Sequence, residues 1–254
     1  MSEEMASHIS SLSPARIQAI LSPVKAVIFD VDGTLTYPGL INFKRIRERA
    51  RVPIGQDIFP YILAHYKGEE YKRAMEAVEE EELLAQKDLR LQPGVNELLA
   101  LLNERGIKVG LLTRNSRKSM NNVLNLITAK VDAAYSREIQ PSKPNVDPFL
   151  RFSKELGVPC DSMLLAGDHL DDFIASIAIH SRSCYVRPNY NAGHPGANHI
   201  PVMPSKDGLS LMNCQQVPPY VEEYRKTHAR YIPDIMIDGV AQLLDAWKNV
   251  SVAK

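Results

Sequence analysis

Two aspartates spaced two apart, Asp30 and Asp32, close the apolar run Ala26-Val27-Ile28-Phe29, and Gly33 follows at once. Such a run reads as a parallel strand buried on both faces, with the glycine marking its abrupt end. Side chains at i and i+2 of a strand point the same way, so both carboxylates are expected to project from the strand's C-terminal tip. Open α/β sheets place their ligands at that edge. Adjacent carboxylates repel, and they need a cation or a shared proton to coexist. Taken alone, Asp30-Val31-Asp32-Gly33 is equally a strand that ends in a polar turn.

Three more strand ends break the tie. Thr113 follows the run Ile107 to Leu112, Lys143 stands in the loop after a short run from Val131 to Tyr135, and Asp168 and Asp172 follow Ser162 to Ala166. In a doubly wound sheet these ends converge along one edge. Three carboxylates make a hard-oxygen site suited to Mg²⁺, which keeps waters and substrate oxygens among its ligands. A hydroxyl and an ammonium opposite them suit a phosphoryl group, whose transfer relies on positioning and charge neutralisation. One carboxylate can then act as covalent nucleophile and the second as general acid and base.

The elements that must position these groups follow from periodicity. Residues 1–24 read as a polar tail and a short helix starting near Ser13-Pro14. Residues 25–36 and 93–254 alternate strand and helix, which argues for an α/β fold, a doubly wound, Rossmann-like parallel sheet with helices on both faces. Between them, 37–92 is charged and helical, with Tyr71, Ala74, Met75 and Val78 at helical spacing. It reads as a small helical insert after the first strand. Its acidic run Glu79 to Glu82 and its basic residues are expected on a solvated face. Arg45, Arg47, Arg49, Arg51 and Arg114 are also candidates to hold a second anionic group of a substrate. Residues 188–233, dense in proline and glycine, read as an irregular excursion with a helix in Tyr220 to Arg230. A surface elaboration is the expectation there, with an oligomer contact or a second lid as the alternative. His169, His194 and His199 lack ligand spacing and are left structural or exposed.

Composition excludes several classes of function. The chain has 254 residues with 30 basic and 30 acidic side chains, so no net field favours a nucleic-acid or membrane partner. Cys160, Cys184 and Cys214 lie far apart with no C-x-x-C pair, which points to a reducing compartment. Met1 to Ser13 carries Glu3 and Glu4 and has no signal-like core, so a cytoplasmic location is expected.

With these motifs in order, the sequence resembles the haloacid dehalogenase superfamily in its phosphatase branch, over about residues 25–187 and again over 234–247. The family's four motifs stand as Asp30-Val31-Asp32-Gly33-Thr34-Leu35-Thr36, Leu111-Leu112-Thr113-Arg114-Asn115, Lys143-Pro144, and Gly167-Asp168-His169-Leu170-Asp171-Asp172. The resemblance implies a Mg²⁺-dependent phosphohydrolase working through an aspartyl-phosphate on a small phosphorylated metabolite. A phosphotransferase or phosphomutase, or a silent binding protein of the same fold, are the alternatives. Asp30 would be nucleophile and metal ligand, and Asp32 general acid/base, lending the metal its backbone carbonyl. Thr113 and Lys143 would bind phosphate, with Arg114 and Asn115 beside them facing substrate. Asp168 and Asp172 would complete the metal set. The presence of Asp32 favours phosphate esters over haloacids, because dehalogenases have no alkoxide to protonate. Residues 37–92 would be the family's small C1 cap. Asp171, where many relatives carry Asn, would add negative charge beside the metal.

Overall fold

Val27 and Phe29 point to one side of the first strand, and Ala26 and Ile28 to the other; all four side chains are buried. That double burial places β1 (Ala26–Phe29) at the centre of a six-stranded parallel sheet with order β3-β2-β1-β4-β5-β8. Its neighbours are β2 (Lys108–Leu112) and β4 (Met163–Gly167), with Phe29 level with Leu111 on one side and Ala166 on the other. β3 (Ala133–Tyr135), β5 (Arg182–Val186) and β8 (Ile235–Ile237) extend it outward. The remaining strands, β6 (Leu209–Ser210) and β7 (Arg230–Tyr231), form a separate antiparallel pair. The computed structural model describes residues 8–54, 56–187, 209–210, 230–231 and 233–251. The expected helix at 220–230, His194, His199 and Cys214 lie outside the described residues, as does nearly all of 188–233.

Helices cover both faces. Helix α1 (Pro14–Leu21) starts as its sequence predicts, with Pro14 in the first turn and Ser13 accepting from the Arg16 amide. It joins α5 (Val95–Glu104), α6 (Arg117–Leu124) and α9 (Val240–Lys248) over one face, where Leu98, Leu102, Met120, Leu243 and Trp247 are buried. On the other face α7 (Asp147–Leu156) and α8 (Leu170–Ala178) bury Phe149, Phe152 and Ala175 against Ile28 and Leu165. Each such burial of a large apolar side chain contributes about 2 kcal/mol. The α/β, doubly wound class predicted from the alternation is the observed one.

Between β1 and α5 run α2 (Phe43–Ala50), α3 (Ile58–His65) and α4 (Gly68–Ala85), which share an apolar cluster of their own around Ile41, Ile46, Ile62, Ala74 and Val78. Their entry and exit strands meet as a short antiparallel bridge, Thr36 with Leu91. Gln92 clasps it: its amide donates to the Leu35 carbonyl at 2.7 Å, and its Nε2 reaches the carbonyls of Gly33 and Thr36 at 2.9 and 3.2 Å.

The acidic run of α4 departs from expectation. Glu81 and Glu82 are only 2% and 4% exposed, so this is not a solvated face. They continue the buried stripe of Ala74, Ala77 and Val78 at helical spacing, and helical geometry overrides composition. The basic residues opposite are correspondingly committed within the helical unit: Arg45 Nε lies 2.8 Å from Glu81, and Arg49 Nη2 2.6 Å from Glu80. Arg47 donates to the Pro53 and Gln56 carbonyls. Arg51 closes α2 in the left-handed region, its carbonyl accepting from the Tyr66 hydroxyl. These arginines serve the insert's own packing rather than standing free for an anionic ligand.

Candidate active site

Strand β1 ends at Phe29, one residue short of the first aspartate, so the two-residue strand period does not run through Asp32. Asp30 still extends the ladder, its amide donating to the Ala166 carbonyl at 2.8 Å. Asp32 sits in the turn that follows, which folds back through Leu35 and Thr36 amides onto the Val31 carbonyl. Both carboxylates reach the same sheet edge, as expected, but they face different partners.

Asp30 belongs to a buried charge cluster. Lys143, buried in the loop after β3, places its ammonium on Asp30 and, at 2.8 Å, on Asp172 Oδ1. Burial opposes the lysine's charge, but Asp172 and Asp30 outweigh it and hold the ammonium firmly protonated. Asp168 follows β4, and no hydrogen-bond donor among the described residues reaches its carboxylate. Burial first, and the Asp30 charge next, push its pKa well up, and Asp172 is raised to about 6, again by burial first. Asp30, Asp168 and Asp172 each offer an oxygen within 4.8 Å of the others. A set of hard, mutually repelling oxygens is what a Mg²⁺-like cation requires.

Two glycines make room for that set. A Cβ on Gly33, whose φ is +81°, would fall 2.2 Å from Asp168 Oδ2, and one on Gly167 would fall 2.0 Å from Asp172 Oδ2. Any side chain at either position would expel a carboxylate from the cluster, so both glycines are structural requirements of the cradle.

Asp32 is held on the other side. Its Oδ2 accepts from Asn115 Nδ2 at 2.7 Å and from the Thr113 hydroxyl at 3.2 Å. Burial first, then the Asp30 charge, raise its pKa to about 7 against those donors. Thr113 is itself oriented by the Asn115 amide, which donates to its hydroxyl at 3.1 Å. Its expected phosphate-facing hydroxyl is thus turned to Asp32 here, and the Asp32 carboxylate stands outside the Asp30–Asp168–Asp172 group.

Arg114, expected to face substrate, turns the other way. It bridges Asp171 Oδ2, at 2.6 Å, and Asp57 at the start of α3, and it lies over the Phe59 ring. Asp171 is therefore not loose charge beside a metal. Burial opposes its ionisation, yet His169 and Arg114 hold its pKa far below the usual carboxylate range. His169 caps α8, accepting from the Asp171 amide, which is a structural role.

Sequence reasoning missed Glu82. It reaches from α4 into the core, accepting from the Ser116 hydroxyl, from Ser119 Oγ at 2.9 Å and from the Ser116 amide at 3.2 Å, and pairing with Arg137. Its place on the α4 stripe was the available signal. Gln92, the clasp between insert and Gly33, has no signature that spacing alone reveals.

Comparison with known proteins fits this geometry. The model of the haloacid dehalogenase-like hydrolases matches residues 24–180. A haloacid dehalogenase-like hydrolase domain-containing protein of Arabidopsis thaliana is 32% identical over 60% of this chain, and the match spans 66% of the plant protein's own length. An uncharacterized hydrolase of Saccharomyces cerevisiae is 29% identical over 68% of this chain and 82% of its own. Among solved structures, one described as a predicted phosphoglycolate phosphatase from Haemophilus somnus shares the fold with a TM-score of 0.57 at 16% identity, covering 89% of this chain and 98% of its own. With the matched stretch running from the start of β1 through the end of α8, and the four motifs converging on one sheet edge, the chain belongs to the haloacid dehalogenase-like hydrolase family.

Proposed function

We propose that the protein is a Mg²⁺-dependent phosphohydrolase acting on a small phosphorylated metabolite through an aspartyl-phosphate. The observation that carries this reading is the pairing, at one sheet edge, of a lysine-bound Asp30 among three carboxylates with a separate Asp32 held by Thr113 and Asn115. One carboxylate is kept ionised and the other is placed to hold a proton, which is the division of labour that ester hydrolysis needs.

In the first step an Asp30 carboxylate oxygen attacks phosphorus and the bond from phosphorus to the alcohol oxygen breaks. The Asp32 carboxyl proton goes to that departing oxygen. In the second step Asp32 takes a proton from a water whose oxygen attacks the phosphorus of the aspartyl-phosphate. The bond to Asp30 breaks, phosphate leaves, and Asp32 is again protonated. Lys143 offsets charge on Asp30 and on the phosphoryl oxygens. The Thr113 hydroxyl is within reach of rotating from Asp32 to those oxygens. Mg²⁺ held by Asp30, Asp168, Asp172 and the Asp32 backbone carbonyl would supply further charge neutralisation at the phosphoryl group.

The test is phosphate release from a generic aryl phosphate, with Mg²⁺ and with chelator, for wild type and Asp30→Asn. The expected result is release that requires both the metal and Asp30, with the variant reduced by about 10³-fold or more. Turnover by Asp30→Asn at the wild-type rate would overturn the reading.

A further inference from the structure

Beneath the helical insert, on the Asp32 side of the site, lies a cavity of about 20 Å³, room for about one water. Its lining includes Asp32, Ile41, Glu82, Gln86, Leu89 and Asn115. If Asp32 protonates the departing oxygen, this cavity is where the alcohol portion of the substrate begins. The following inference therefore rests on the phosphohydrolase reading and extends it to substrate class.

No lysine, arginine or histidine lines the cavity among the described residues. The cations nearby in the fold are already paired. Arg137 binds Glu82 and faces Glu79, Arg114 bridges Asp57 and Asp171, and Lys143 bridges Asp30 and Asp172. Arg45 and Arg49 are held by Glu81 and Glu80. A leaving alcohol with its own carboxylate or second phosphate would lie against Asp32 and Glu82 with no counter-charge. Desolvating an anion in that setting costs several kcal/mol.

An uncharged alcohol meets a different surface. The Gln86 side-chain amide lines the cavity and makes no hydrogen bond among the described residues, so it is available to a hydroxyl as donor and acceptor. Glu82 and Asp32 offer acceptors, while Ile41 and Leu89 meet carbon. The cavity's size limits the alcohol further. Even with the insert lifting about the Thr36–Leu91 bridge, the space is suited to a short chain. We propose that the substrate is the phosphomonoester of a short, uncharged polyol, selected by a leaving-group cavity that has amide and carboxylate partners for hydroxyls and no cation for a second anionic group.

The experiment compares near-isosteric esters on the full chain with Mg²⁺: 2-hydroxyethyl phosphate against phosphoglycolate, and glycerol 3-phosphate against 3-phosphoglycerate, with an aryl phosphate alongside. The expected result is a kcat/KM about tenfold or more higher for the uncharged member of each pair. Gln86→Arg, a half-buried position at the cavity wall, should shift that ratio by about tenfold toward the carboxylate esters. Carboxylate esters turned over by wild type as well as their uncharged partners would overturn the inference while leaving the phosphohydrolase reading intact. An unchanged ratio in Gln86→Arg would likewise overturn the assignment of this cavity to the leaving group. No release from any ester, the aryl phosphate included, would overturn the phosphohydrolase reading and the inference with it.

Discussion

Two clusters of buried charge lie within one sheet edge and its overlying insert, and they are built on opposite terms. At the tips of β1 and β4, Asp30, Asp168 and Asp172 share a single ammonium, Lys143. Between α4 and the loops after β2 and β3, carboxylates are matched to donors instead: Glu82 to Arg137, Ser116 and Ser119, and Asp57 with Asp171 to Arg114. Taking charge out of water is costly unless a partner compensates it. The matched cluster is compensated by the chain itself and holds the insert to the core. The unmatched one leaves Asp168 without a donor and is completed only by a cation from outside. Charge imbalance, rather than the number of acids, separates a candidate reaction centre from a structural lock.

Breaking the matched cluster should have the largest effect on stability. Glu82→Ala removes the carboxylate that holds three hydroxyl and amide donors and leaves Arg137 without its closest partner. The expected loss is about 3 kcal/mol, which for a domain of this size is a fall in melting temperature of roughly 10 °C. Because the lesion lies outside the metal set, adding Mg²⁺ should not restore it. Thermal melts of wild type and variant, with and without Mg²⁺, measure both statements. A variant as stable as wild type would mean that Glu82 does not lock the insert.

The unmatched cluster should respond in the reverse sense. Without divalent cation, Asp168→Asn relieves repulsion among three carboxylates, so the variant is expected to melt at or above the wild-type temperature. Mg²⁺ should stabilise wild type by about 2.7 kcal/mol at a hundredfold excess over its dissociation constant, and most of that gain should vanish in Asp168→Asn. The same chelator-against-Mg²⁺ melts decide the point. A wild type indifferent to Mg²⁺ would show that Lys143 alone suffices to balance the cluster.

The difference between the clusters also explains what could be read from the sequence. Asp30, Lys143, Asp168 and Asp172 were legible because each ends or follows an apolar run, and parallel strands bring such ends together whatever lies between them. Ser13-Pro14 announced α1 because capping is local chemistry. The matched cluster was hidden because its members pair across 34 to 57 residues with no motif of their own, as Glu82 does with Ser116 and Arg114 with Asp57 and Asp171. Local composition even misdirected the reading: four glutamates in a row suggest solvent, yet the α4 stripe turns two of them inward. Arg114 was misplaced for a similar reason. Its neighbour Thr113 faces the site, but the side chain of the next residue leaves the edge for α3.

A third carboxylate, at the opposite end of the strands, sets the scale for charge that is matched but wet. Asp132 accepts from the Val109 amide at 2.9 Å and pairs with Lys130 at 2.7 Å and Lys108 at 3.4 Å, linking the starts of β2 and β3. Burial opposes its ionisation, but Lys130, the Val109 amide and Lys108 together hold its pKa below the ordinary 3.8. A carboxylate depressed on folding stabilises the native state above its unfolded pKa and loses that contribution as pH falls through the folded value. Asp132→Asn keeps an acceptor for Val109 but drops the charge, so the expected cost near pH 7 is only about 1 kcal/mol, because both lysines are exposed enough for water and salt to screen them. The gap between wild type and variant should close between about pH 5 and pH 3, and it should shrink in high salt. Urea midpoints across that pH range at low and high ionic strength measure it. A gap that persists undiminished at low pH would place the contribution of Asp132 in its hydrogen bond to Val109 rather than in its charge.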